Sequence, residues 1–130
     1  MQSDRTRVLV VDDEPTIRQA LGLVLRRAGY EVLAVDSGEQ AVALLRASHF
    51  DQLVLDLRIP DMRGDVVFEL AASLQPHLRY STVFTTGDIS ERARGLVEAC
   101  GCPLLSKPFD LADLVSTLRR QMPRVQDASA

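Results

Sequence analysis

Leu53-Val54-Leu55-Asp56-Leu57-Arg58-Ile59-Pro60-Asp61 is the stretch on which the reading of this chain turns. A short apolar run closed by proline predicts a strand buried on both faces, as in a parallel sheet, with Asp56 where the strand leaves the core. A lone acid at a strand end is ordinarily a solvated loop residue. Whether Asp56 is more than that depends on what the other strand ends carry.

Working outward, the same pattern repeats on both sides. Arg7-Val8-Leu9-Val10-Val11 is a β-branched apolar run ending in Asp12-Asp13-Glu14, with Pro15 at the start of a helix whose apolar face is Ile17, Leu21, Val24 and Leu25. Gly29 is expected to end that helix in the left-handed conformation. Glu31–Val35 is a second strand, followed by a helix capped by Asp36 or Ser37 with Ala41, Leu44 and Leu45 on one face. After the Asp56 strand, a helix from about Asp65 to Ser73 is expected to turn Val66, Val67 and Leu70 inward. Ser81–Thr86 reads as a fourth strand with Gly87-Asp88 as its exit. The helix from Ile89 to Ala99 that follows contains Gly95, which costs about 1 kcal/mol relative to Ala and makes this the softest helix. Pro103–Ser106 is a short fifth strand ending in Lys107-Pro108. The last helix, capped by Asp110, buries Leu111, Leu114, Val115 and Leu118.

Five strand and helix alternations without a hairpin signal predict an α/β domain: a doubly wound five-stranded parallel sheet with five helices. The 130 residues are read as one domain over 1–122 and a frayed polar tail over 123–130. A net charge of -3 and the absence of Trp or a basic aromatic stripe argue against nucleic-acid or membrane-surface binding. No apolar run approaches the roughly 20 residues of a membrane span and no secretory segment opens the chain, so a cytoplasmic location is expected. Cys100 and Cys102 lack the second pair or histidine of a zinc site and read as reduced packing thiols. His49 and His77 fall in connections and read as solvated loop residues.

In such sheets the functional crevice lies outside the carboxyl ends of the strands. There the first strand delivers Asp12 and Asp13, the third Asp56, the fourth Thr86 and the fifth Lys107. Carboxylates about 4 Å apart repel by roughly 1 kcal/mol in water and by more in a crevice, so three of them call for a cation. Oxygen ligands without imidazole or thiolate select Mg²⁺ (or Mn²⁺), which leaves coordination positions open to a phosphoryl group. A carboxylate nucleophile, a divalent ion, a hydroxyl and a lysine are the parts needed for phosphoryl transfer to an aspartate.

Four segments carry a family resemblance: Val8–Glu14, Asp56–Gly64, Thr86-Gly87 and Lys107-Pro108-Phe109. From about Arg7 to Arg120 the chain resembles the response regulator receiver domain of bacterial two-component and phosphorelay systems. The resemblance implies a flavodoxin-like fold with strand order 2-1-3-4-5. It also implies a phosphoacceptor signalling module rather than an enzyme, assisting only its own phosphorylation and dephosphorylation. Asp56 would accept the phosphoryl group from a phosphohistidine on a histidine kinase or histidine phosphotransfer protein. Asp13, Asp56 and the backbone carbonyl of Arg58 would bind Mg²⁺, with Asp12 acting directly or through water. Lys107 and Thr86 would meet phosphoryl oxygens, the Lys107-Pro108 bond would be cis, and the fourth helix would shift on activation. A homodimer, where one forms, would use the fourth and fifth helices.

The chain departs from the family at Leu104, three residues before Lys107, where many receivers carry Tyr or Phe. Output through backbone and helix movement, or relay of the phosphoryl group, is therefore expected instead of an aromatic swing. The Phe84–Asp88 and Pro103–Asp110 segments look closer to receivers of hybrid sensor histidine kinases than to transcriptional regulators, and no helix-turn-helix follows. Arg58 and Asp88, each two residues beyond a site residue, are expected to pair across the crevice and hinder attacking water. Two rival readings remain: a degenerate receiver acting by protein contact alone, and a haloacid dehalogenase-type Mg²⁺-dependent phosphatase. The latter needs an acid where Arg58 stands.

Overall fold

In the computed structural model, which describes residues 5–88 and 90–121, strands β1 (Arg7–Val11), β2 (Glu31–Val35), β3 (Gln52–Asp56), β4 (Thr82–Thr86) and β5 (Leu104–Ser106) form one sheet in the order β2-β1-β3-β4-β5. Every pairing is parallel. Helices α1 (Pro15–Arg27), α2 (Gly38–Ala47), α3 (Gly64–Leu74), α4 (Glu91–Cys100) and α5 (Leu111–Gln121) follow the strands in turn. No helix among the described residues is long and apolar enough to cross a membrane. The expected tail over 123–130 lies outside the described residues.

Strand periodicity divides the core into two layers. Val8, Val10, Val54 and Val83 point to one face, where they meet Leu21 and Leu25 of α1 and Leu114 and Leu118 of α5. Leu9, Val11, Leu53, Leu55 and Phe84 point to the other, against α2, α3 and α4. Strands covered on both faces must read as continuous apolar runs, and β3 is buried along its whole length. Gly29 has a φ of 101°, as its place after α1 predicts. Ser37, not Asp36, caps α2 by accepting from Gln40 N.

The phase of α3 differs from the sequence expectation. Val67, Phe68, Ala71 and Ala72 are its buried residues, while Val66 and Leu70 remain 42% and 37% exposed. The run Val66-Val67-Phe68 and Leu70-Ala71-Ala72 satisfies helical periodicity on two neighbouring faces. Phe68 settles the choice, because its large ring packs against Phe84 with centroids 5.7 Å apart.

A 3-10 turn at Pro76–Tyr80 occupies the connection into β4, a feature without a periodic signal in the sequence. It also corrects the view of His77 as a solvated loop residue. His77 Nε2 donates to Phe50 O at 2.6 Å, and its ring stacks on His49 at 4.8 Å, so it ties the turn to the entrance of β3. His49 stays exposed and pairs with Asp51.

The loop after β3 is fixed to α2 through Asp61. Its two carboxylate oxygens accept from Gly38 N and Glu39 N, each at 2.9 Å. With Ser37 Oγ on Gln40 N, the amides of Gly38, Glu39 and Gln40 are all satisfied, and Ala41 N on Ser37 O begins the helical ladder. Those two amide bonds hold the Asp61 carboxyl below its ordinary range. A lowered folded-state value contributes stability that is present above the unfolded value, roughly 3.9, and lost as pH falls through the folded one. Asp61→Ala should therefore cost about 1 kcal/mol in urea unfolding at neutral pH, and the difference from the unmutated chain should vanish in acid. Native-state hydrogen exchange should open Glu91–Cys100, which carries the exposed Gly95, well before β1 and β3.

Candidate functional site

The parallel sheet brings the carboxyl ends of β1, β3, β4 and β5 to one edge, where the side chains named from sequence converge. Asp12 and Asp56 are 1% and 3% exposed, and Thr86 is fully buried. Lys107 Nζ lies 2.9 Å from Asp56 Oδ2, 3.1 Å from Asp12 Oδ2 and 3.0 Å from Glu14 Oε1. The Lys107 N–H donates to Thr86 O at 2.7 Å, extending the β4–β5 ladder by one step, and the Lys107-Pro108 bond is cis.

Other contacts set each acid. Asp56 Oδ1 accepts from Arg58 N at 3.1 Å, and Asp12 Oδ1 from Glu14 N at 2.9 Å. Arg18 donates to Asp12 O at 2.8 Å, anchoring the first turn of α1 to the end of β1. Gly64 closes the loop behind Asp56. A Cβ there would lie 2.5 Å from Asp56 O and 2.7 Å from Leu57 Cα, so only glycine lets the start of α3 pass this close.

Burial raises the Asp56 carboxyl above its ordinary range, only partly offset by Lys107 and the Arg58 amide, and Asp12 pushes it in the same direction as burial. Burial pulls the Lys107 ammonium down, but its bonds to Asp56 and Glu14 and its proximity to Asp12 outweigh this and hold it above the usual lysine range. One ammonium thus faces the carboxylates of Asp12, Asp13, Glu14 and Asp56 and does not balance their charge.

The residues fit a divalent cation. Asp12, Asp13 and Asp56 each offer an oxygen, all within 4.8 Å of one another. Buried Asp12 Oδ2 makes no hydrogen bond despite its ion-pair distance to Lys107, so one oxygen of the cluster is open to a further partner. An all-oxygen donor set suits Mg²⁺ or Mn²⁺.

Thr86 Oγ1 accepts from Asp88 N at 3.0 Å, which leaves its own proton available. Arg58 and Asp88 meet across the mouth, with Arg58 Nε 3.1 Å from Asp88 Oδ2 and the guanidinium NH2 on the same oxygen. A bond from Ser90 N, and then this guanidinium, bring the Asp88 carboxyl down to about 2. The pair divides the opening. One side is a cleft of about 560 Å³ lined by Asp13, Glu14, Asp56, Gly87 and Lys107. The other is a groove of about 580 Å³ running over Leu57, Ile59 and Pro60 to Ala93 and Leu96 of α4.

Sequence reasoning placed Asp12, Asp13, Asp56, Thr86 and Lys107 together and paired Arg58 with Asp88; the structure brings together Asp12, Asp13, Asp56 and Lys107 and forms the Arg58–Asp88 pair, while Thr86 closes β4 with its hydroxyl on Asp88 N. Sequence reasoning did not assign Glu14, quoted only as part of an acidic run, as a counter-ion of Lys107, because that contact joins positions 93 residues apart. Cys102 donates to Cys100 O at 3.6 Å, and burial pushes its thiol up to about 12, in keeping with an inert packing role. Leu104 is half-buried against the α2–α4 layer of the core.

Comparison with known proteins agrees with this architecture. A family model described as "Response regulator receiver domain" matches residues 8–119. The DNA-binding response regulator MtrA of Mycolicibacterium smegmatis is 34% identical over 131 residues, covering 100% of this chain and 56% of the relative. The probable transcriptional regulatory protein TcrX of Mycobacterium tuberculosis is 33% identical, covering 90% of this chain and 50% of its own length. The chain thus spans about half the length of these curated relatives. Among solved structures, a CheY-like receiver domain protein from Methanospirillum hungatei JF-1 has a TM-score of 0.84 at 25% identity, covering 91% of this chain and 94% of that one. A response regulator from Burkholderia pseudomallei, described with a phosphorylated aspartic acid, a calcium ion and citrate, has a TM-score of 0.79 at 25% identity over 96% of this chain and 73% of that one. MtrA and TcrX bear the names of a DNA-binding and a transcriptional regulator, which does not favour the hybrid-kinase likeness drawn from the β4 and β5 ends. Strand order, site and match over residues 8–119 agree: the chain belongs to the response regulator receiver domain family.

Proposed function

We propose that Asp56 is the phosphoacceptor of this receiver, taking its phosphoryl group from a phosphohistidine on a histidine kinase or histidine phosphotransfer protein. One observation carries this reading: a buried carboxylate at the end of β3, 2.9 Å from Lys107 Nζ and clustered with Asp12 and Asp13. A carboxylate oxygen of Asp56 forms the O–P bond as the P–N bond breaks, and the bonding pair returns to the partner's imidazole. Lys107, already on Asp56 Oδ2, pairs with a phosphoryl oxygen, and Thr86 turns its free proton toward another. Asp13, Asp56 and the Arg58 carbonyl would hold Mg²⁺ (or Mn²⁺), with Asp12 acting directly or through water. When bound, the ion neutralises charge that develops on the phosphoryl oxygens.

The domain assists its own phosphorylation and dephosphorylation and turns over no other substrate. The phosphatase rival needs a second acid at position 58, where Arg58 is instead engaged with Asp88. A receiver acting by contact alone has no need of three clustered carboxylates with a lysine on two of them, and that cluster supports phosphorylation over contact alone. With Leu104 at the aromatic position, the response runs through the Thr86–Asp88 segment and α4, whose exposed Gly95 weakens it.

Incubation with acetyl phosphate and Mg²⁺ should add one phosphoryl group by intact mass. The gain should disappear in Asp56→Asn and on chelation with EDTA; no gain in the unmutated chain would overturn the reading. Arg58→Ala, which opens the mouth of the cleft to water, should shorten the lifetime of the aspartyl phosphate by roughly two- to fivefold, the scale of a single exposed ion pair. An unchanged lifetime would remove the gating role.

A further inference from the structure

The face opposite the sheet on α2 and α3 is built like half of a symmetric interface. Val66, Leu70 and Leu74 recur every four residues along α3 and are 42%, 37% and 39% exposed. They form one apolar stripe at helical spacing. A groove of about 450 Å³ runs beside Leu70, floored by Val42, Ala43 and Met62 and rimmed by Glu39 and Arg46. The outward faces of α4 and α5 differ: among the described residues, neither helix carries a large exposed apolar side chain. A contact through α4 and α5, as the family resemblance implied, would therefore have to be polar.

Charge distribution on this face singles out one occupant. Asp61 is engaged with the amides of α2, Arg63 is paired with Asp65, and Arg79 with Glu69. Glu39 and Arg46 have no ion-pair partner among the described residues. They stand seven positions apart on α2, which is two helical turns, on the same face and about 10 Å apart along the axis. Val42 and Ala43 lie midway between them. A two-fold axis through that midpoint sets Glu39 of each copy against Arg46 of the other, which is the self-complementarity an isologous contact requires.

We infer that this α2–α3 face associates with a second copy of the chain, antiparallel along α2, with the apolar stripe between the two copies. Both ends of the platform are already fixed. Asp61 ties the start of α2 to the loop before α3. Gln75, just after α3, donates to Leu45 O and Ser48 O at 2.8 and 2.7 Å at the other end. Little ordering is then needed on association. Two helices roughly 15 Å long make a small interface, so association is weak and concentration-dependent.

Sedimentation velocity of the chain between about 10 μM and 1 mM, the range suited to a small interface, should show a monomer–dimer equilibrium. Glu39→Arg and Arg46→Glu should each weaken it about tenfold, because both symmetric pairs become repulsive. An equimolar mixture of the two variants, and the double variant Glu39→Arg/Arg46→Glu, should each recover the association. Those recoveries also show that the variants fold. Arg94→Glu on α4 should leave it unchanged. A chain that stays monomeric over this range overturns the proposal and leaves the face to a different protein. Single reversals without effect, failed recovery in the mixture, or a loss caused by Arg94→Glu overturn it equally.

Discussion

The structure depends on one ammonium group. Lys107 Nζ sits within 3.1 Å of carboxylates from Asp12, Glu14 and Asp56, and these come from the ends of strands that are not neighbours in sequence. Two of the acids are almost wholly buried, a placement that costs several kcal/mol per ion unless opposite charge is close at hand. One lysine among Asp12, Asp13, Glu14 and Asp56 does not balance their charge, and burial, with Asp12 adding in the same direction, raises the Asp56 carboxyl. The site is thus held together and left deficient in positive charge at once. That condition favours a divalent ion and, with it, a phosphoryl group.

Everything around the ammonium serves to bring those strand ends level. Parallel pairing aligns the carboxyl ends of β1, β3, β4 and β5, and the two apolar layers keep them there. The β4–β5 ladder carries one bond beyond the sheet, from Lys107 N to Thr86 O, so the backbones of the lysine and the hydroxyl residue are joined directly. Gly64 lets α3 begin directly behind Asp56, and Asp61 anchors the same loop to α2. The loop after Asp56 is thus tied in two directions, to α2 through Asp61 and toward the start of α4 through the Arg58–Asp88 pair. Only the second leads into a helix with a built-in weakness at Gly95.

Much of this was legible in the chain. Continuous apolar runs in β1 and β3 read as strands covered on both sides, and the alternation of strands with helices required parallel connections. Because each such strand ends at the same edge, the acids, threonine and lysine closing them could be placed together from pattern alone. The Arg58–Asp88 pair followed from the same geometry, each residue being two positions past a strand end.

What only tertiary structure decided is where the chain meets itself without a periodic signal. The phase of α3 was open because apolar residues cover two adjacent helical faces, and the choice fell to Phe68 meeting Phe84. That outcome left Val66, Leu70 and Leu74 outward. Glu14 as a partner of Lys107, Asp61 as a cap for a distant helix, and His77 on the Phe50 carbonyl are contacts between far-separated positions, made by side chains common in loops. Local pattern determines which segments become strands and helices and which edge they share, since burial and hydrogen bonding act on each segment directly. The partner each polar side chain takes is set by packing of the whole sheet, because only that packing fixes distances across the chain.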